Sequence, residues 1–285
     1  MFQPVAKPAA HPPAIASLPR PRPVVPAAPS PKLALASRVM NVTSTSSLAV
    51  VTGAGGAIGC AVAARLAADG YAVACVDNTI DSANRVASKL DRARAFRCDV
   101  RSPAHVERLR DRVEGQMGPP EVLINVAGVF FTHRIPELSE EQWDLLIDVN
   151  LKGTFLACKA FLPSMIARGR GTIVNVASTA GLRGGRDRAA YCASKGAVVL
   201  LTRGLALDHG PDGVRVNCVC PGLIDTPMAD WLTRDEEALR AWERSIPAQR
   251  IGNVEDIASA VSYLVSPHAA YVHGAALVVD GGDSA

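Results

Sequence analysis

The sequence predicts an α/β protein whose core is a doubly wound parallel sheet. Three observations carry that prediction. Apolar runs of strand length recur between residues 48 and 282, helix-like stretches separate them, and the first run enters the first helix through a glycine-rich turn. The runs are continuous rather than alternating, so each strand is buried on both faces. That is the condition of a parallel sheet covered by helices on both sides.

Taken in order, LAVVTG (48–53) is the first strand, ended by glycine. AIGCAVAARLAADG (57–70) is an alanine-rich helix with a C-terminal glycine stop. AVACVD (72–77) is the second strand. EVLINVAG (121–128), GTIVNVAS (171–178), VRVNCVC (214–220) and AALVVDGG (275–282) are further strands. No internal repeat is evident. One domain is expected over 46–285.

Composition narrows the function. The chain has 285 residues and 48% hydrophobic content, enough for a sizeable core. A net charge of +3 argues against a dedicated nucleic-acid binder. The lack of a long apolar run argues against a membrane span. Seven cysteines, mostly inside apolar runs, read as buried thiols of a reduced, cytoplasmic protein. Cys218 and Cys220 alternate along a strand and lack zinc-knuckle spacing. His105, His133 and His209 have no spacing that makes a metal triad, so no metal is expected.

Residues 1–45 differ from the rest. Ten of the 20 prolines lie there, and the first acidic residue of the chain is Asp69. Such a segment buries too little apolar surface to offset its ordering entropy, so a disordered tail without catalytic role is expected. An organelle transit peptide is weakened by the prolines, and translation starting at Met40 is a further alternative.

TGAGGAIG (52–59) sits where a phosphate-binding turn belongs, between the first strand and the first helix. Glycines let the backbone approach a pyrophosphate, and the helix N-terminus supplies amides and partial positive charge. Asp77 ends the second strand, close to the roughly 20-residue offset of an acid that binds a ribose diol. A carboxylate there favours NAD and repels the 2′-phosphate of NADP.

Tyr191 and Lys195 stand four residues apart and share a helix face. Alone, that spacing fits two solvated side chains as well as a catalytic pair. The setting changes the reading. The ordered set Thr52-Gly53-x3-Ala57-Ile58-Gly59, Cys98-Asp99-Val100, Asn125-Val126-Ala127-Gly128, Val149-Asn150, Ser178, Tyr191-x3-Lys195 and Pro221-Gly222 with Thr226 resembles the short-chain dehydrogenase/reductase family, across Ser47 to Gly282. Ala57 and Val126 depart from the usual glycine and asparagine. A helix start accommodates Ala57, and a buried turn accommodates Val126.

The resemblance implies a Rossmann-type fold and four catalytic roles. Tyr191 is the general acid/base, and Lys195 lowers its pKa and binds the nicotinamide ribose. Ser178 orients and stabilises the substrate oxygen. Asn150 holds a water that links Lys195 to bulk. The cofactor set would be Gly53, Gly55, Ala57, Ile58, Gly59, Asp77, Asp99, Val100, Asn125, Ala127, Gly128, Pro221, Gly222, Ile224 and Thr226, with Tyr191 and Lys195. Asp99 would lie near adenine, and Asn125 and Gly128 would line the adenosine ribose. A homotetramer or homodimer is implied, with contact faces on 151–168 and 191–209. Phe155, Leu156, Phe161, Val198, Leu201 and Leu205 there serve either an interface or the sheet.

Substrate contacts in this fold come from loops at the C-terminal strand ends, here 129–135, 179–190 and 223–247. Arg183, Arg186 and Arg188 precede Tyr191, and arginine binds anions through paired hydrogen bonds. Arg188 is the first choice for an anionic or polyhydroxylated substrate. Trp231 and Trp242 belong to an expected lid over 227–246. The function that follows is hydride transfer between NAD and a secondary alcohol or ketone. The rivals are an NADPH-dependent 3-ketoacyl-type reductase and a dinucleotide-binding protein without catalysis.

Overall fold

The computed structural model describes residues 47–230 and 235–285, so the tail expected over 1–45 lies outside the described residues. Seven parallel strands form one sheet in the order β3-β2-β1-β4-β5-β6-β7. The strands are β1 (Leu48–Thr52), β2 (Ala72–Asp77), β3 (Ala93–Arg97), β4 (Val122–Asn125), β5 (Gly171–Val176), β6 (Val214–Pro221) and β7 (Ala276–Val279). Six coincide with the apolar runs. The seventh, β3, reads ARAFR and pairs with β2 alone, at the sheet edge. Its exposed Arg94 and Arg97 break the apolar run that marks the others.

Alternate strand residues serve opposite faces of the sheet. Leu48, Val50, Leu123 and Ile173 pack with α3 (Pro103–Met117) and α5 (Gly153–Ala167). Ala49, Val51, Ile124 and Val174 pack with α1 (Ala57–Ala68), α2 (Ile80–Ala87) and a helix at Val254–Val265, here α8. Burial on both faces is the reason the strands read as unbroken apolar runs. Leu156, Phe161 and Val198 belong to this interior, whereas Phe155 on α5 is exposed.

Local signals set the helix ends. Ser102 caps α3 by accepting from the His105 amide, with Pro103 in the first turn. Capping boxes open α4 (Glu140–Leu146), through Ser139 and Gln142, and α8, through Asn253 and Asp256. Asp235 caps α7 (Glu236–Ser245). Between α4 and α5 the chain makes a π-helical turn, Ile147–Lys152, containing Asn150. Such widened turns occur often at functional sites. The long α6 (Ala189–His209) carries both Tyr191 and Lys195.

The strand order reverses between β1 and β4. In a doubly wound sheet the crevice for ligands opens there, at the carboxyl ends of the strands. No helix among the described residues is long and apolar enough to cross a membrane. All seven cysteines are free, and five of them are buried.

Candidate active site

Two cavities open at this end of the sheet. One of about 560 Å³ is lined by the glycine turn, Asp77, Asp99 and Val100. The other, of about 430 Å³, is lined by Ser178, Tyr191, Lys195 and the three arginines. Ile58, Val126, Gly128, Val129, Thr226 and Met228 line both, so they are two halves of one crevice.

The first half is built around backbone that tolerates no side chain. Gly53 has φ +66°, and a Cβ on it would lie 2.7 Å from Ala127 backbone atoms. A Cβ on Gly59 would stand 2.1 Å from the Gly53 carbonyl oxygen, so helix and turn touch directly. Gly56 precedes α1 with extended backbone and no side-chain cap, and Ala57 starts the helix. The first amides of α1 therefore point at the cavity without a side-chain acceptor. This cradle and open helix end fit a dinucleotide pyrophosphate.

Asp77 lines the same cavity and is tied to the turn. Its Oδ2 accepts from the Gly55 amide at 3.0 Å, and its Oδ1 accepts from the Thr79 amide and hydroxyl at 3.2 and 3.1 Å. Gly55 supports the carboxylate from behind the lining. Arg85 donates to the Gly55 carbonyl and Arg97 to the Asn78 carbonyl, and neither lines the cavity. Asp99 also faces this half. The Arg101 guanidinium beside it holds its carboxyl below the usual range. Asn78, Arg101 and Leu145 are lining residues that sequence reasoning missed.

Asn125 is buried at the end of β4. It lines neither cavity. Its side chain is buried and donates to Asn175 Oδ1 at 2.9 Å, and Asn175 donates on to Thr202 at 2.9 Å. The residue ends β4 on the face that packs against α5 and α6.

In the second half, Ser178 follows β5 and Tyr191 lies on α6, and both side chains line this cavity. Ser178 Oγ also accepts from the Ala180 amide at 3.1 Å. Burial pushes the Tyr191 phenol up to about 12, opposed by the Ser178 hydrogen bond and the Arg188 charge. Burial also pulls Lys195 down to about 8. Lys195 Nζ donates to the Val176 carbonyl at 2.9 Å and lies 5.8 Å from the Tyr191 ring centroid. Desolvation dominates, and the lowering comes from Ser178 and Arg188.

Asn150 is buried in the π-helical turn. Its Nδ2 donates to the Val129 carbonyl at 3.0 Å and to Ser194 Oγ at 3.1 Å, and its Oδ1 accepts from the Val129 amide at 2.8 Å. Three protein bonds engage its side-chain amide. Asn150 clamps the chain after β4 to α6, one turn from Tyr191.

The substrate side is lined by Pro221, Gly222, Ile224, Thr226, Phe130, Trp242 and Asp283, with Arg183, Arg186 and Arg188. Arg183 donates to both the carboxylate and the carbonyl of Asp283, so its charge is balanced. The Arg188 guanidinium sits 5.9 Å from the Phe130 ring centroid. Trp231 lies outside the described residues. His133 contacts Gln142 and lines neither cavity.

Fold and site together define an α/β protein of the dinucleotide-binding type, with a buried tyrosine and lysine on one helix at its switch point. The chain belongs to the short-chain dehydrogenase/reductase family, and residues 53–284 match the family described as enoyl-(acyl carrier protein) reductase. It is 38% identical over 244 residues to 2-(R)-hydroxypropyl-CoM dehydrogenase of Xanthobacter autotrophicus, covering 83% of this chain and 98% of that one. It is 38% identical to meso-2,3-butanediol dehydrogenase of Serratia marcescens, covering 83% and 94%. The solved gluconate 5-dehydrogenase of Burkholderia cenocepacia, in complex with NADP and tartrate, superposes with a TM-score of 0.80. It is 31% identical and covers 84% of this chain and 95% of that one.

Proposed function

We propose that the protein is an NAD-linked dehydrogenase of secondary alcohols whose substrate carries an anionic or polyhydroxylated group. The observation that carries this reading is the Ser178–Tyr191 hydroxyl pair, set in the crevice shared with the Asp77 cavity. A bound nicotinamide dinucleotide supplies the hydride chemistry. Gly53, Gly59 and the α1 N-terminus would hold its pyrophosphate, and Asp77 its adenosine ribose.

The chain's own groups do the rest. Ser178 and Tyr191 converge on the alcohol oxygen, Ser178 orienting it and Tyr191 accepting its proton. A cationic ring beside the phenol, added to Arg188, would bring the phenol down from about 12 toward working pH. Lys195, buried at the same wall, would meet the nicotinamide ribose.

Asp77 supports NAD. Its carboxylate lines the cavity, Arg85 and Arg97 do not, and Arg101, which does, is paired with Asp99. NADP in the solved relative supports the rival NADPH-linked reductase. The charge of the second half supports the substrate class. Arg186 and Arg188 line that cavity, and a guanidinium binds anions through paired hydrogen bonds. Steady-state kinetics with both cofactors, over polyols, hydroxy acids and neutral alcohols, tests the reading. NADPH preference would overturn the cofactor assignment.

A further inference from the structure

Phe130 was visible in the sequence only as part of a loop. In the structure its ring touches two functional groups. Its centroid lies 4.8 Å from that of Tyr191 with the planes at 82°, an edge-to-face pair. The Arg188 guanidinium carbon lies 5.9 Å from the same centroid. All three line the substrate half of the crevice.

The backbone beside Phe130 is fixed to the same helix. Asn150 bonds both the amide and the carbonyl of Val129, and it also donates to Ser194 Oγ. Ser194 Oγ in turn donates to the Tyr191 carbonyl at 2.8 Å. The backbone beside the ring is therefore tied to the helix that carries Tyr191. Edge-to-face packing restrains both rings, because their quadrupoles favour that geometry. The same quadrupole holds a nearby guanidinium.

We propose that Phe130 is a positioning residue that fixes Tyr191 and Arg188 at one separation. It thereby matches the reacting carbon to the charged group of the substrate. The inference rests on the dehydrogenase reading of the Ser178–Tyr191 pair. A phenol free to tilt loses the alignment that proton transfer needs, which lowers turnover rather than affinity. An arginine without its platform samples more positions, which weakens discrimination between charged and neutral substrates.

The test compares wild type with Phe130→Leu, Phe130→Met and Phe130→Tyr. The substrates are a matched pair of secondary alcohols, one bearing a carboxylate and one neutral. Expected with Leu and Met is a kcat about tenfold lower on both alcohols, unchanged NAD affinity, and a smaller preference for the carboxylate. Tyr, which keeps the ring, restores kcat. Two ring-deleting variants guard against one that merely folds poorly. Unchanged kcat with a raised KM in both would show a passive wall and overturn the proposal. So would failure of Tyr to restore turnover. A wild type that oxidises neither alcohol removes the dehydrogenase reading itself, an outcome distinct from an active wild type indifferent to Phe130.

Discussion

Lys195 donates to the Val176 carbonyl from a helix face it shares with Tyr191, and both side chains are titratable groups deprived of water. Their shifts run in opposite directions. The phenol goes up and the ammonium comes down, because burial disfavours the charged form of each. The site thus holds its acid–base pair at a cost to folding.

That cost sets a stability prediction. Lys195 falls from 10.5 to about 8 in the folded chain. Between those pH values the unfolded chain binds the extra proton, so this contribution to stability rises with pH through that window. Below pH 8 the buried ammonium is a liability. Lys195→Met is expected to be more stable than wild type at pH 7, by about 2 kcal/mol and several degrees in Tm. The advantage should vanish by about pH 10.5. Melting curves across that range check it; a variant less stable at pH 7 counts against it.

Tyr191 behaves with the opposite sign. Its folded value lies above its unfolded one, so its contribution is present below pH 10 and fades as pH rises toward 12. Tyr191→Phe is expected to leave cofactor affinity intact and to lower kcat by roughly 10²–10⁴. Ser178→Ala is expected to lower kcat by about 10²–10³ and to move the activity profile to higher pH, because the bond that lowers the phenol is gone. A profile that stays in place would show that Ser178 does not tune Tyr191.

Gly55 and Asp77 form a second coupled pair. A Cβ on Gly55 would stand 2.8 Å from Asp77 Oδ2 and 2.5 Å from Ser82 Cβ. Gly55→Ala is therefore expected to displace the carboxylate and raise the KM for NAD about tenfold, with little change in kcat. Asp77→Ala should narrow the preference for NAD over NADP. Steady-state kinetics measures these effects, and titration of both cofactors by intrinsic fluorescence gives the matching changes in affinity.

The arginines separate by their partners. Arg188→Ala is expected to raise the KM for an anionic alcohol about tenfold or more while sparing a matched neutral one. Arg183→Ala, which frees Asp283, should affect both alcohols alike and lower Tm. An equal change for both alcohols in Arg188→Ala would remove it from substrate recognition.

Much of this was legible in the sequence for a physical reason. Strands buried on both faces write themselves as apolar runs, and a turn that must let its backbone approach a phosphate writes itself as glycine. Tyr191, Ser178 and Asp77 were readable because spacing along the chain ties them to ends of strands and a helix face. β3 was missed because an edge strand needs no apolar run. The bond from Asn125 to Asn175 was not readable, because strand alternation decides which face an amide takes and the motif does not state it. Phe130, Asp283 and the Val176 carbonyl act through contacts between distant segments, which no local pattern encodes. The hydrogen bonds of Asn150 are of the same kind.

The central claim is that Tyr191 moves the substrate proton in an NAD-linked alcohol oxidation. It is tested most directly by NADH formation from a carboxylate-bearing secondary alcohol, comparing wild type with Tyr191→Phe at equal cofactor saturation. The account predicts turnover in the wild type with NAD and its near-complete loss in the variant, with NAD binding unchanged. Equal turnover in the two proteins would contradict it.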